Sequence, residues 1–267
     1  METKISFCTC VRNEARNLPE LLEHVKDIVD EIIVIDDMST DGTYEIAKRY
    51  GAKVYRRRTM GFVEQNRQYA FNKATSDWIL YLEADERLST ELRRDLRKII
   101  ENSDGIDGYA LSVRYYVKRG YFIKHYNQLY PNFRLRIFKK NKVMCKALIH
   151  TDPEVFGKIV HLHPDKYFIK HLVYEHYLLN RKSMRRHVKY AWIASHQRDM
   201  KWRGIIFTLS FPVTFPVRLL RELLIRKALL DGFSGVKVAF IYSIYLSLID
   251  IFTALRWLKR TISLIIR

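Results

Sequence analysis

Cysteine is scarce in this chain, and its spacing excludes two structures that cysteines commonly build. The 267 residues include three cysteines, Cys8, Cys10 and Cys145. An odd number of cysteines without a C-x-x-C pair fits neither a disulfide framework nor a cysteine-ligated zinc site. The first residues also lack the apolar core of a signal peptide. We therefore expect a protein of the reducing cytoplasm that is not exported.

Glycine-rich loops and long apolar runs are missing as well. Neither a G-x-x-x-x-G-K-S/T loop nor a G-x-G-x-x-G turn follows the first strand-like run, so no backbone cradle for phosphate is expected. The longest uncharged stretches near the C-terminus are residues 204–217 and 238–249, of 14 and 12 residues. A membrane-spanning helix needs about 20 apolar residues, so none is predicted.

Charge is distributed unevenly along the chain. The composition, 48% hydrophobic, is that of a globular protein with a core, and the net charge is +18. Residues 1–100 carry 17 Lys and Arg against 18 Asp and Glu, whereas residues 101–267 carry 30 against 11, a net charge of +19. This excess predicts an anionic partner for the second part, either nucleic acid or an anionic membrane surface.

The first hundred residues alternate short apolar runs with helical patterns. Strands are predicted at 5–11, 32–35, 53–55 and 78–82, with helices beginning near Asn17, Thr40 or Asp41, Phe62, and Ser89 or Thr90. Such alternation predicts an α/β fold with a mostly parallel central sheet. Strands at 109–117 and 132–138 have no helix between them and predict a mixed or antiparallel extension, and a helix is predicted at 182–196.

Carboxylates follow three of these predicted strands. Glu14 follows the first, Asp36 and Asp37 follow the second, and the segment from Glu83 to Glu86 follows the fourth. Ligands of open α/β sheets lie at the carboxyl ends of the strands, where these side chains would gather. Mg²⁺ or Mn²⁺ prefers carboxylate oxygens together with substrate phosphates. The pattern therefore predicts a divalent metal that holds a phosphorylated ligand.

The C-terminal part combines basic and apolar residues. Apolar Val217, Leu219, Leu220, Leu223 and Leu224 are predicted to share one helix face, surrounded by Arg218, Arg221, Arg226 and Lys227, and residues 256–267 repeat this character. The pattern is typical of helices that lie in a membrane interface. The alternative is a helical subdomain packed on the core or on a second subunit. We predict a catalytic domain at 1–200 and a membrane-associating segment at 201–267.

Three segments resemble the family 2 glycosyltransferases, which have the GT-A fold: residues 11–14, 36–43 and 78–86. The resemblance covers about residues 4–200 and is nearest to small non-processive members that build lipopolysaccharide cores. The Q-x-x-R-W signature of processive synthases is absent. The resemblance implies a metal-dependent hexosyltransferase that inverts the sugar, takes it from a UDP- or GDP-sugar and passes it to a lipid-linked acceptor.

The resemblance also implies roles for individual residues. Asn13 and Glu14 would line the nucleotide pocket, Asp37 would accept a hydrogen bond from the base with Asp36 in support, and Asp85 would bind the metal. Glu83 stands where the family more often has Asp. Arg67 would meet the diphosphate, unless it lies on a solvated helix face. Arg136 would hold the donor phosphate or the acceptor, and His176 would approach the metal or the diphosphate unless it is a core histidine. His161, His163 and His171 have no such match.

The catalytic base is the least clear assignment. An inverting transferase needs a general base that deprotonates the acceptor hydroxyl. Residues 148–157 resemble a V-H-E…G pattern, but Thr151 stands in the place of the glutamate. The role then falls to Asp152 or, second, to Glu154, unless both only cap the turn at Pro153.

Two other functions are left open by the residues alone. A nucleotidyltransferase also gathers carboxylates on an α/β edge, although it would carry a glycine-rich phosphate loop. A non-enzymatic module that binds membrane or nucleic acid would explain the positive charge of residues 101–267. We expect the transferase, peripheral or monotopic on the cytoplasmic side of a membrane, and do not expect nucleic acid as a partner.

Overall fold

The computed structural model describes the following residues: 3–59, 62, 64–118, 121–126, 131–148, 151–172, 181–197 and 211–265. The chain divides into two compact units. The first consists of Met1–Tyr115 and Pro131–Leu172, and the second of Tyr116–Tyr130 and Val173–Arg267. This division does not coincide with the boundary predicted at residue 200, because the helix that ends at Gln197 packs against the C-terminal helix.

The first unit is built on a mixed sheet. Its strands are β1 (Ile5–Val11), β2 (Glu31–Asp36), β3 (Lys53–Arg56), β4 (Trp78–Tyr81), β5 (Glu86–Leu88), β6 (Gly108–Lys118, which continues into the second unit), β8 (Phe133–Lys139), β9 (Val143–Met144), β10 (Glu154–Val155), β11 (Ile159–His161) and β12 (Phe168–His171). The central order is β3-β2-β1-β4-β8-β6-β12-β5. The first four strands in this order are parallel, but β8 is antiparallel to both of its neighbours and β5 is antiparallel to β12. The predicted α/β class and the antiparallel extension are confirmed, whereas the sheet as a whole is mixed.

Local signals explain where the helices of this unit begin. They are α1 (Leu18–Val25), α2 (Thr43–Arg49), α3 (Glu64–Lys73) and α4 (Thr90–Glu101). Ser89 caps α4, as predicted, because its side chain accepts the backbone N–H of Leu92 at 3.2 Å. The N-cap of α2 is Gly42 instead of Thr40 or Asp41, and its φ of 87° is a left-handed conformation that glycine adopts without strain.

Helix α3 covers one face of the parallel strands. Its Ala70, Phe71 and Ala74 join a buried cluster with strand residues Cys8, Cys10, Ile33, Ile35, Ile79, Tyr81 and Phe138. Arg67 lies one helical turn before Phe71 and therefore on the same face. The packing of α3 thus turns the Arg67 side chain towards the sheet and away from water.

The strand register brings the loops at the carboxyl edge together. Val11 pairs with Asp36, and the backbone N–H of Asp37 donates to the carbonyl of Val11 at 2.8 Å. Further along the edge, β5 and β12 align Glu86 with His171. The N–H of Leu172 also donates to the carbonyl of Asp85 at 2.8 Å. A histidine distant in sequence therefore lies beside the acidic turn after β4.

In the part that the structure describes, the second unit is helical apart from a short hairpin. Its elements are β7 (Tyr121–Phe122), which pairs with the end of β6, then α5 (Arg181–Gln197), α6 (Phe211–Leu220), a π-helical turn (Arg221–Ile225), a 3₁₀ turn (Ala228–Asp231) and α7 (Gly232–Ile265). Helix α6 contains Pro216 within its length. The prediction of a single apolar face is wrong: Leu219 and Leu223 pack against a core that contains Tyr126 and Val238, whereas Val217, Leu220 and Leu224 are exposed.

Helix α7 corrects the expectation that no helix is long enough to cross a membrane. By length and composition alone, the segment Ala228–Ser263 is long and apolar enough to do so. The uncharged run at residues 238–249 is shorter than the helix, because the helix continues past isolated charges at Lys237 and Asp250. The core helix of a soluble protein meets the same two criteria. Of the apolar 18-residue stretch in this helix, 44% is buried inside the protein.

The carboxylate of Glu31 connects neighbouring segments at the opposite edge of the sheet, where the parallel strands begin. Its Oε2 accepts a hydrogen bond from the Lys53 ammonium at 2.8 Å, and its Oε1 accepts one from the Thr75 hydroxyl at 2.8 Å and one from Ser6 Oγ. Burial alone would raise the pKa of this carboxyl, but the hydrogen bonds from Lys53, Ser6 and Thr75 lower it to about 2.

We expect Glu31→Gln to lower the free energy of unfolding at neutral pH by about 1 to 2 kcal/mol, because the charged hydrogen bonds are lost. A carboxyl with a depressed pKa in the folded state stabilises above its unfolded pKa and loses that contribution as pH falls through the folded value. In urea unfolding, the deficit should therefore shrink as the pH falls from about 5 to about 2. The exposed Glu45→Gln variant is the control and should behave as wild type; a deficit independent of pH would contradict this account.

Candidate active site

Asp37 joins three turns at the carboxyl edge of the sheet. Its Oδ1 accepts the backbone N–H of Thr59 at 2.7 Å, and its Oδ2 accepts the Thr59 hydroxyl at 2.6 Å. The guanidinium of Arg12 lies 3.2 Å from the same Oδ2. These contacts connect the segments that follow β1, β2 and β3, with the Asp37 carboxylate buried between them.

Neighbouring residues shape the rest of this turn. Asp36 is buried, and its carboxylate accepts the N–H of Ser39 at 3.1 Å and the Nε of Arg56 at 3.2 Å. Asn13 has a left-handed φ of 55° and its Oδ1 accepts the N–H of Thr40 at 2.9 Å. Glu14 accepts the side-chain amide of Asn17 at 2.8 Å. Asparagine tolerates this left-handed conformation better than most non-glycine residues, which suits Asn13 to the turn.

Three potential metal ligands meet at the turn after β4. Donor atoms of Glu83, Asp85 and His171, which we call the ligand trio, lie within 4.8 Å of one another. The Nε2 of His171 is 3.3 Å from Oδ2 of Asp85. Burial by itself lowers the pKa of His171, but the charge and hydrogen bond of Asp85 raise it to about 9. Two carboxylates with one imidazole suit a metal such as Mn²⁺ and leave coordination positions for phosphate oxygens.

Arg67 supports this turn from helix α3. It is 5% exposed, so the solvated helix face considered above is excluded. Its Nη2 lies 2.9 Å from Oε1 of Glu83, its Nε donates to the Tyr81 hydroxyl at 2.9 Å, and its Nη1 donates to the carbonyl of Thr151. Burial alone would raise the pKa of Glu83, but the charges of Arg67 and then Arg136 hold it below its ordinary value.

Arg136 on β8 is held mainly by Glu86. Its Nε and Nη2 donate to the two carboxylate oxygens of Glu86 at 3.0 and 2.8 Å, a bidentate pair between two buried side chains. Its Nη2 lies 3.8 Å from Oε1 of Glu83 and its Nη1 3.5 Å from Oδ1 of Asp152. Arg136 therefore connects the acidic turn to the segment that contains the predicted base.

The two predicted bases have different surroundings. Asp152 is half-buried and its carboxylate pairs with Arg134 as well as with Arg136. Glu154 lies on the short β9–β10 hairpin and pairs with the exposed Lys146. Asp152 therefore shares the charge network of the acidic turn through Arg136, whereas Glu154 forms an ion pair with a surface lysine.

The comparison with known sequences identifies the family. The profile of glycosyl transferase family 2 matches residues 6–154, more than half of the chain. The chain belongs to glycosyl transferase family 2. The three segments on which the resemblance rested all lie inside the matched region, so the family prediction is confirmed; the narrower resemblance to lipopolysaccharide-core members stays a prediction.

Similar proteins occur in Rickettsia. An uncharacterized glycosyltransferase of Rickettsia felis is 34% identical over 185 residues, which are 65% of this chain and 62% of that protein. An uncharacterized glycosyltransferase of Rickettsia typhi is 31% identical over 168 residues, 58% of this chain and 56% of that protein. The matches therefore span less than two thirds of the length of these relatives.

Solved structures confirm the GT-A fold that the family resemblance implied. The mannosyltransferase PcManGT from Pyrobaculum calidifontis, in complex with GDP-Man and Mn²⁺, superimposes with a TM-score of 0.57 at 13% identity, over 95% of this chain and 87% of that chain. TarS of S. aureus has a TM-score of 0.50 at 16% identity, over 91% of this chain and 55% of that chain. At these identities the likeness establishes the fold alone.

His171 is the residue of this family 2 site that sequence reasoning missed. His176 was predicted to approach the metal, but it lies outside the described residues. His171 reaches the acidic turn because β12 pairs with β5, and β5 was not predicted as a strand. The usable signal was the run Phe168–His171, which ends in a histidine and follows the turn at Pro164.

The Arg136–Glu86 pair generates a stability prediction. We expect Glu86→Ala to destabilise the protein by about 3 kcal/mol, because it leaves the guanidinium of Arg136 buried without its bidentate partner. Replacing both residues, as Glu86→Ala with Arg136→Met, should cost less than the single change. Urea unfolding followed by tryptophan fluorescence measures both. If the destabilisation of the double variant equalled the sum of the destabilisations of the two single changes, the result would contradict a coupled pair.

Proposed function

We propose that this protein transfers a sugar from a nucleoside-diphosphate sugar to a lipid-linked acceptor, with inversion at the sugar. The observation that carries the proposal is the ligand trio beside the buried Arg67, at the same sheet edge as Asp37 and Asn13. Membership in glycosyl transferase family 2 supports the reaction class. The acidic edge and the absent glycine-rich loop agree in pointing to metal-assisted phosphate binding.

The donor would lie along the carboxyl edge. Asn13, Glu14 and Asp37 would line the nucleoside end, where Arg12 and Thr59 already define the position of the Asp37 carboxylate. Asp36 would keep the turn in shape through Ser39. The fold-related mannosyltransferase was solved with GDP-Man and Mn²⁺, which supports a nucleotide-sugar donor here without deciding between UDP and GDP.

The metal would be held by Asp85, with His171 and Glu83 next to it. A bound Mg²⁺ or Mn²⁺ neutralises charge that develops on a diphosphate leaving group. Arg67 fixes the orientation of Glu83 and adds a positive charge beside the diphosphate position. Arg136 acts on the same turn through Glu86, so its contribution is to position the turn instead of contacting the phosphate.

Asp152 is our candidate for the general base. Its carboxylate is held by Arg134 and Arg136, which restrict its rotamers and connect it with the acidic turn. A positioned carboxylate of this kind takes the proton from the acceptor hydroxyl as the hydroxyl attacks the sugar. Thr151, at the position of the family glutamate, instead donates its hydroxyl to the carbonyl of Leu148 at 2.7 Å.

The apolar helix α7 and the distribution of charge support our proposals for the acceptor and the location. Helix α7 is apolar enough to associate with a membrane, and residues 101–267 carry a net charge of +19. Basic apolar segments bind the anionic cytoplasmic leaflet. We therefore propose a peripheral or monotopic enzyme on the cytoplasmic side, whose acceptor is linked to lipid.

The first test of this function uses the ligand trio. We expect Asp85→Asn and His171→Ala to abolish the thermal stabilisation that nucleoside diphosphate gives in the presence of Mn²⁺, and Asp85→Asn to abolish sugar transfer. Binding at about 100 times the dissociation constant stabilises wild type by about 2.7 kcal/mol, which a thermal-shift assay detects.

The control for this test is His163→Ala, an exposed histidine in the turn before β12, which should retain the Mn²⁺-dependent shift. Unchanged melting temperatures of the ligand-free variants would show that the fold survives. Full transfer by Asp85→Asn would overturn the metal assignment.

The second test separates the two candidate bases. Asp152→Asn should reduce kcat by about 10² to 10⁴ while Mn²⁺-dependent nucleotide binding persists, since only proton transfer is removed. Glu154→Gln should retain kcat, because Glu154 pairs with Lys146 at the surface. The opposite pattern would assign the base to Glu154.

A further inference from the structure

The corner between α6 and α7 exposes many apolar side chains. We call residues 217–233 the apolar tip; they comprise the end of α6, the π-helical turn, the 3₁₀ turn and the start of α7. Seven large apolar residues of this short segment are exposed: Val217, Leu220, Leu224, Ile225, Leu229, Leu230 and Phe233. The exposed fraction reaches 72% at Ile225 and 83% at Phe233. Exposed apolar clusters of this kind mark interaction surfaces.

The carboxylates of the apolar tip point inward. Its two acidic residues are Glu222 and Asp231, and both are buried. Glu222 accepts the hydroxyl of Tyr126 at 2.8 Å and the Nη2 of Arg221 at 2.6 Å. Asp231 accepts backbone N–H groups of residues 124, 125 and 126 at 2.8, 2.9 and 2.8 Å. The acids are therefore used to attach the tip to the hairpin segment and are not presented to a partner.

The charges that the apolar tip does present are positive. Lys227 is exposed and has a left-handed φ of 62°, and the side chains of Arg221 and Arg226 are 46% and 36% exposed. Apolar side chains interspersed with cations, without exposed carboxylates, are complementary to a bilayer surface that carries anionic headgroups.

Helix α7 is less suited than the apolar tip to contact a membrane along its length. It packs against α5 and α6, and Asp250 in its middle forms an ion pair with Arg218 at 2.8 Å. Ser243 and Ser247 are buried and donate to carbonyls of the preceding turn. Protein contacts thus occupy part of this helix, whereas the exposed apolar side chains of the tip are concentrated in one short segment.

We infer that the apolar tip is the element that inserts into the headgroup region of an anionic bilayer, with Arg221, Arg226 and Lys227 at the lipid phosphates. The inference deepens the membrane attachment of the proposed function. It does not depend on sugar transfer, because lipid binding is measured without donor or acceptor. The tip would hold the protein at the surface without a spanning helix.

Vesicle flotation of the full chain tests this inference. Wild type should bind phosphatidylcholine vesicles that contain about 30% phosphatidylglycerol, and should bind pure phosphatidylcholine more weakly, since basic residues near the surface are attracted to anionic lipid. Ile225→Ser with Phe233→Ser should lower the partition coefficient for the mixed vesicles at least tenfold. Arg226→Gln with Lys227→Gln should remove the preference for the anionic vesicles.

The matched control is Leu255→Ser with Leu258→Ser, two exposed leucines of α7 outside the tip, which should bind as wild type. Equal loss in this control, or unchanged binding by the tip variant, would overturn the inference. The inference would also be overturned if the wild-type protein did not bind vesicles but formed dimers in size-exclusion chromatography that the tip variant did not form. Mn²⁺-dependent nucleotide binding, measured on the same variants, separates failure of the tip from failure of the proposed enzyme.

Discussion

Charges at the carboxyl edge of the sheet can be buried together only because each lies against an opposite charge. Glu83 and Glu86 lie within the five residues that follow β4, and Arg67 and Arg136 reach them from α3 and β8 at 2.9 and 2.8 Å. The ring of Tyr81 lies 5.2 and 5.4 Å from these two guanidinium groups. Breaking the buried Arg136–Glu86 pair would cost several kcal/mol, so this pair opposes movement of β8 relative to the acidic turn. The position of the ligand trio is a consequence of this constraint.

The second unit uses buried carboxylates for a different purpose. Glu222 and Asp231 attach a corner of the helical region to the segment around Tyr126 through hydrogen bonds. Because both carboxylates accept hydrogen bonds inside the protein, the large side chains on the outer surface of that corner are apolar or basic. One unit thus arranges charge around a ligand site, while the other removes negative charge from a surface. Both arrangements suit the proposed transfer from an anionic donor at an anionic membrane surface.

Much of the first unit was predictable because its signals are local. The apolar runs at 5–11 and 78–82, the cap at Ser89 and the acidic clusters each occupy a few consecutive residues. The pairing of β5 with β12 joins residues more than 80 positions apart and has no local signal, which is why His171 was missed. The burial of Arg67 was equally hidden, since the polar residues of α3 do not reveal which face meets the sheet. In the second unit, a uniform helix pattern failed where a π-helical turn separates α6 from α7.

A crystal structure of the protein soaked with Mn²⁺ and a nucleoside diphosphate tests the central claim most directly. Anomalous scattering locates the manganese without reference to any assumed mechanism. The account predicts a peak bound by Asp85 and within the ligand trio, bridged to the diphosphate, with the nucleoside beside Asp37. The account would be contradicted by a nucleoside diphosphate bound elsewhere. It would also be contradicted by manganese bound outside the ligand trio while the nucleotide occupies the carboxyl edge of the sheet.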